Sequence, residues 1–258
     1  MIEIKKITEH ISCFKVPYKD IFVGIYVLRA DEGVILFDTA ACDADVDNWI
    51  APALEQLGVV PTHIFISHNH TDHAGGIARA AALWPEAVIL SRSPKLQEAY
   101  PNAKHPEDWR ILLDTFQVVT IPGHTMDAAA LLDLRTNTLV SGDCLQSFGI
   151  YGSGYWYGAI TYPAEHFAAI NKLRELPIEN IATAHDYHPV GMVSYGKDAA
   201  MQRLDSCVDA LDRVRKIAEA HPELDEKQVA ELCNDGTFPK VAGRVIAALR
   251  KAAAEGRI

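Results

Sequence analysis

Apolar positions along the first half of the chain gather into short blocks of two kinds. Residues 22–28, 34–37 and 63–66 are nearly continuous apolar runs, with the length and character of buried strands. Between them, residues 45–57 space their apolar side chains as a helix does. Residues 77–83 form an alanine-rich helical stretch, and residues 87–90 another short strand. The pattern returns further on: residues 116–121, 129–134, 138–141 and 178–184 read as strands, with Arg135-Thr136-Asn137 supplying a hairpin turn. Strands alternating with helices predict an α/β layer architecture.

From Gly196 onward the composition shifts to helix formers. Met201, Leu204, Val208, Leu211, Val214 and Ile217 recur at spacings of three and four within residues 197–219, which makes one apolar stripe on a helix. Residues 225–232 and 241–254 follow as further helices. The expected organisation is a main domain over residues 1–195 and a helical C-terminal extension over residues 196–258.

Composition narrows the class. With 49% hydrophobic and 22% charged residues the chain can bury a core without staples. A formal net charge of −10 opposes bulk attraction to nucleic acid. The five cysteines, Cys13, Cys42, Cys144, Cys207 and Cys233, are scattered with no C-x-x-C pair, as reduced thiols are. Neither a secretory h-region nor a bilayer-length apolar stretch occurs, so a soluble cytoplasmic protein with no membrane partner is expected. A homodimer stays open.

Chemistry concentrates in one segment. Ser67-His68-Asn69-His70-Thr71-Asp72-His73-Ala74-Gly75-Gly76 packs three imidazoles and a carboxylate directly behind the apolar run 63–66. Imidazole nitrogen and carboxylate oxygen suit zinc and related divalent ions. Three later strand-like runs end on comparable residues: 116–121 leads into Pro122-Gly123-His124-Thr125, 138–141 into Gly142-Asp143, and 178–184 into His185.

These residues resemble the metallo-β-lactamase superfamily, whose pattern is H-x-H-x-D-H followed by separate His, Asp and His ligands. The resemblance covers residues 1–195 and implies a four-layer αβ/βα sandwich. It implies that His68, His70 and His124 hold one ion, that Asp72, His73 and His185 hold a second, and that Asp143 bridges them. The cofactors would be two divalent metal ions, zinc first, with manganese or iron as alternatives. Val34-Ile35-Leu36-Phe37-Asp38-Thr39-Ala40 is similar to the family's strand ending in D-T-G, with alanine in place of glycine. Asp38 is expected to orient a ligand rather than bind metal.

The reaction so implied is hydrolysis of a small ester, thioester or lactone by a metal-bound hydroxide, as in the glyoxalase II and lactonase types, with Asp72 orienting the water and shuttling its proton. Two departures qualify it: no cluster of Lys and Arg matches a glutathione carboxylate site, and Gln146 stands where lactonases often carry tyrosine. The alternatives are a lactamase-beta-like RNA endonuclease and a mononuclear iron oxygenase of persulfides. The endonuclease is suggested by Gly123-His124-Thr125-Met126-Asp127 and by a tail similar to that branch's winged-helix-like extension. A flavodiiron reading fits poorly, since His70 replaces a glutamate.

The glycine- and aromatic-rich residues 149–158 suit a pocket wall, with Tyr155, Trp156 and Tyr157 as substrate contacts, or equally a packed surface loop or dimer contact. Cys144 is read as a buried small hydrophobe beside Asp143, and His188 as a bystander three residues after His185.

Overall fold

The computed structural model describes residues 1–150, 160–234 and 241–258, so Tyr155, Trp156 and Tyr157 lie outside the described residues. The chain divides into two compact units, one of residues 1–120 and 127–136, the other of residues 121–126 and 137–258.

The first unit is built on β1 (Ile4–Lys6), β2 (Ile11–Tyr18), β3 (Ile21–Ala30), β4 (Gly33–Phe37), β5 (His63–Ile66) and β6 (Val88–Ser91), hydrogen-bonded in that order. Strands β1 to β4 pair antiparallel, as tight connections allow. Strands β4, β5 and β6 run parallel, which requires a crossover between each pair. The first crossover carries α1 (Asp43–Asp45), a π-helical turn over Val46–Ile50 and α2 (Ala51–Leu57); the second carries α3 (Thr71–Ala74) and α4 (Ile77–Leu83). Helix α5 (Pro94–Ala99) follows, then the antiparallel meander β7 (Ile111–Leu112), β8 (Phe116–Thr120) and β9 (Ala129–Asp133).

The sequence pattern predicts one helix over residues 45–57, and the chain instead makes the α1, π and α2 pieces. Pro52 explains the break, because proline lacks the N–H a continuous α-helix needs and its ring crowds the carbonyl four residues back. Widening to the π register, with Ala51 N–H on the Val46 carbonyl, relieves that clash. Gly58 then stops α2 in the left-handed conformation at φ 66°.

The core beneath this sheet is apolar. Ile25, Tyr26, Val27, Leu28, Leu36, Phe37, Ile64 and Phe65 are fully buried. Phe37 stacks on Phe65 at 5.4 Å and receives the edge of Tyr26 at 6.3 Å. Burying one such side chain stabilises by roughly 2 kcal/mol, so this cluster fixes the register of β4 against β5 and with it the strand ends that carry the chemistry.

The second unit repeats the parallel device. Strand β10 (Thr138–Val140) pairs parallel with β11 (Asn180–Tyr187), the crossover carrying α6 (Pro163–Arg174), and β12 (Gly191–Tyr195) returns antiparallel on β11. Helix α7 (Lys197–Ala220) packs on α6, β11 and β12, followed by α8 (Glu226–Cys233) and α9 (Gly243–Ala254). Asp225 caps α8 with a reciprocal bond to Gln228. The apolar cluster joining these helices centres on Leu211, Val214, Val229, Ile246 and Leu249. The buried face of α7 is rotated from the predicted stripe: it includes Arg203, Ser206 and Cys207, while Met201, Val208 and Ile217 are only half-buried. The expected α/β class is the one the chain adopts. No described helix is long and apolar enough to cross a membrane.

Candidate metal centre

Parallel neighbours end at the same edge, and that alone brings the first group of residues together. Asp38 follows β4 and Ser67 follows β5, so Asp38 N–H donates to the Phe65 carbonyl at 2.8 Å and its carboxylate meets the ligand loop. Asp38 sits at φ 68°, a left-handed conformation that aspartate tolerates better than most residues. Oδ1 accepts the Ser67 N–H at 2.7 Å, and Oδ2 accepts the Ser67 hydroxyl at 2.8 Å. His73 Nδ1 lies 2.7 Å from the same Oδ2, both side chains being fully buried. The one carboxylate of Asp38 thus holds both the Ser67 hydroxyl and the His73 ring.

The loop that follows is pinned on several sides. Asn69 N–H donates to the Asp127 carboxylate at 3.1 Å, so the aspartate of the G-H-T-x-D variant anchors this segment. The His73 carbonyl accepts from Thr39 N–H at 2.7 Å and from the Thr39 hydroxyl at 3.1 Å. At Gly75 a Cβ would fall 1.9 Å from the Ala41 carbonyl oxygen, so only glycine lets α3 lie this close to the Asp38 loop.

Within that frame His68, His70, Asp72 and His73 converge. His68 Nε2 stands 3.1 Å from His70 Nδ1, and His73 Nε2 stands 3.7 Å from Asp72 Oδ2. Two nitrogens each about 2.1 Å from one tetrahedral ion are separated by roughly 3.4 Å, so the His68–His70 pair has the spacing of co-ligands. The His68 ring lies 4.1 Å from that of His73, centroid to centroid. Asp72 and His73 belong to α3, the short helix that follows the strand.

The second unit carries His124, Asp143 and His185. Asp143 follows β10, and His185 lies inside β11, at a register shift, not after its end. The two strands are parallel, so the residues meet: His185 Nε2 is 3.4 Å from Asp143 Oδ1, and His124 Nε2 is 3.8 Å from Asp143 Oδ2. Each oxygen of one carboxylate therefore faces a different imidazole. Tyr187 donates its hydroxyl to Oδ1 at 3.0 Å. The Gln146 amide nitrogen stands 3.0 Å from His124 Nδ1, and only with the amide turned end for end would its oxygen accept Nδ1–H and leave Nε2 a lone pair.

His124 is placed by Gly123, which sits at φ 150° and where a Cβ would fall 2.7 Å from the His166 Cβ. His166, buried on α6, has its pKa pushed down to about 4, first by desolvation and also by the charge of His124. His188 N–H and carbonyl are engaged with Gly149 and Phe148. Ser67 and Tyr187, which contact His68 and Asp143, are residues of the candidate site that sequence reasoning missed. The one available signal was position, Ser67 directly at a strand end and Tyr187 two residues from His185 on the same strand.

The donor chemistry fits divalent ions: the side chains gathered in each unit are imidazoles and carboxylates. A mixed-sheet α/β fold that presents such donors at the ends of parallel strands defines a class of metal-site scaffolds. The model of the metallo-beta-lactamase superfamily matches residues 20–185, and the chain belongs to that superfamily. A hydroxyacylglutathione hydrolase of Xanthomonas axonopodis pv. citri is 30% identical over 165 residues, covering 62% of this chain and 59% of the relative. One of Bartonella henselae is 29% identical over 171 residues, 63% of this chain and 66% of the relative. The match thus spans less than two thirds of either relative. A metallo-beta-lactamase family protein of Thermus thermophilus shares the fold, with a TM-score of 0.69 over 97% of this chain and 95% of that one at 16% identity.

Proposed function

We propose that the chain is a metal-dependent hydrolase of a small ester, thioester or lactone, working with two divalent ions. On this reading His68, His70, His124 and Asp143 form one donor group, and Asp72, His73, Asp143 and His185 the other. The observation that carries it is Asp143, whose two oxygens face His124 and His185 separately, so that one carboxylate would be available to both donor groups. The hydroxyacylglutathione hydrolases among the relatives support a thioester as the first substrate to try.

The ions, when bound, acidify water and polarise the substrate carbonyl. The chain's own contribution is orientation and proton handling. Asp72 keeps 14% of its side chain exposed where His73 keeps none. Its carboxylate can accept a hydrogen bond from attacking water and move the proton onward. Zinc leads as the resident ion because imidazole and carboxylate donors without thiolate suit it, and manganese and iron accept the same set.

Metal content per chain on protein purified anaerobically without added metal, with a screen of lactones, thioesters and RNA, tests the reading. Near two equivalents with chelator-sensitive thioester or lactone hydrolysis is expected. Asp72→Asn should lower kcat by about 10²–10⁴-fold with KM little changed. One equivalent of iron with oxygen uptake on persulfides, or cleavage of RNA alone, overturns it.

A further inference from the structure

Asp38 Oδ2 is shared between two donors, the Ser67 hydroxyl at 2.8 Å and His73 Nδ1 at 2.7 Å. An ionised carboxylate only accepts, so the single hydrogen of the Ser67 hydroxyl is committed to Asp38. Toward His68 Nδ1, 3.0 Å away, the Ser67 oxygen can then only accept. His68 must carry its hydrogen on Nδ1, which leaves Nε2 as the lone pair that faces His70. Asp38, Ser67, His68 and His73 are all buried, so no solvent competes for these bonds.

We infer that Ser67 is a positioning residue that passes the acceptor demand of Asp38 to His68, so that one buried carboxylate fixes the ring tautomer of a ligand in each of the two donor groups. The role of His68 and His73 as ligands rests on the two-ion reading above. The relay itself rests on four hydrogen bonds within one unit. Its useful property is separability: Asp38 Oδ1 keeps the Ser67 backbone N–H at 2.7 Å whatever side chain stands there, so removing the hydroxyl breaks the His68 branch and spares the His73 branch.

Ser67→Ala tests it with two readouts. In metal-free protein, the ¹⁵N shifts of the histidine rings should report His68 with hydrogen on Nδ1 in the parent chain and a loss of that preference in the variant, while His73 stays unchanged. In zinc competition dialysis, one of the two binding events should weaken by about tenfold to a hundredfold and the other hold. Ser67→Thr, which restores the hydroxyl, should recover both. If Ser67→Ala does not fold, Ser67→Cys keeps the volume with a weaker donor and is read the same way. An unchanged His68 tautomer, or an equal fall in both affinities that threonine does not rescue, overturns the relay. A parent chain that binds no zinc while His68 keeps its tautomer overturns the two-ion reading and leaves the relay standing.

Discussion

Tyr187 and Asp143 show how much rests on single atoms. The Tyr187 hydroxyl donates to the same Asp143 oxygen that faces His185, which holds the carboxylate in the plane that serves two imidazoles. Tyr187→Phe should leave the fold in place, costing about 1 kcal/mol for one buried hydrogen bond. It should weaken ion binding by about tenfold to a hundredfold, read by dialysis against a zinc indicator. Equal affinity in both proteins would show that packing alone orients Asp143. The imidazoles and carboxylates were legible in the sequence because few other roles explain H-x-H-x-D-H behind an apolar strand. Ser67 and Tyr187 were not, since a hydroxyl carries no spacing rule and acquires its partner only when strands align. Gln146 was visible only as a departure from a tyrosine, and its hydrogen bond to His124 gives it a positive role.

At the level of elements, strands were readable where they are buried on both faces. Residues 34–37, 63–66 and 87–90 emerge as β4, β5 and β6 with little change in their ends. Periodicity does not report pairing direction, so the convergence of Asp38 with Ser67, or of Asp143 with His185, needed the parallel register to be seen. Helix α7 was found at its predicted place but turned about its axis, with Arg203 buried and donating from Nε to the Ser194 hydroxyl and from Nη2 to the Gly191 carbonyl. Close approach also decides α3. Gly75→Ala sets a methyl against the Ala41 carbonyl and must push α3 off the Asp38 loop. Urea unfolding should show a loss of about 1–3 kcal/mol, and hydrolysis should fall by more than global unfolding explains. A variant with parent stability and rate would mean that the loop yields freely.

The whole chain carries five cysteines, of which Cys42 is exposed and the other four are buried. Burial pushes the Cys13 thiol up to about 12 and raises Cys207, so neither offers thiolate near neutral pH. Titration with a disulfide reagent should therefore find one fast thiol per folded chain and five on denaturation; two or more fast thiols would show that the fold opens around the others. The scatter of cysteines suggested reduced thiols from the sequence, but which of them is accessible depends on packing that composition does not encode. Likewise the turn of the chain into helices after Gly196 was plain, whereas the grouping of those helices with β10, β11, β12 and α6 in one unit was not.

His68, His73 and His124 each have their outward nitrogen met by Ser67, Asp38 or Gln146. For His68 and His73 the inward nitrogen is thus aimed before any ion arrives, and little reorganisation of these two rings should accompany its arrival or departure. On the two-ion reading, such donors could be emptied and refilled like a socket, without refolding. Zinc, the ion these donors suit first, would then load and leave without the chain having to be rebuilt around it.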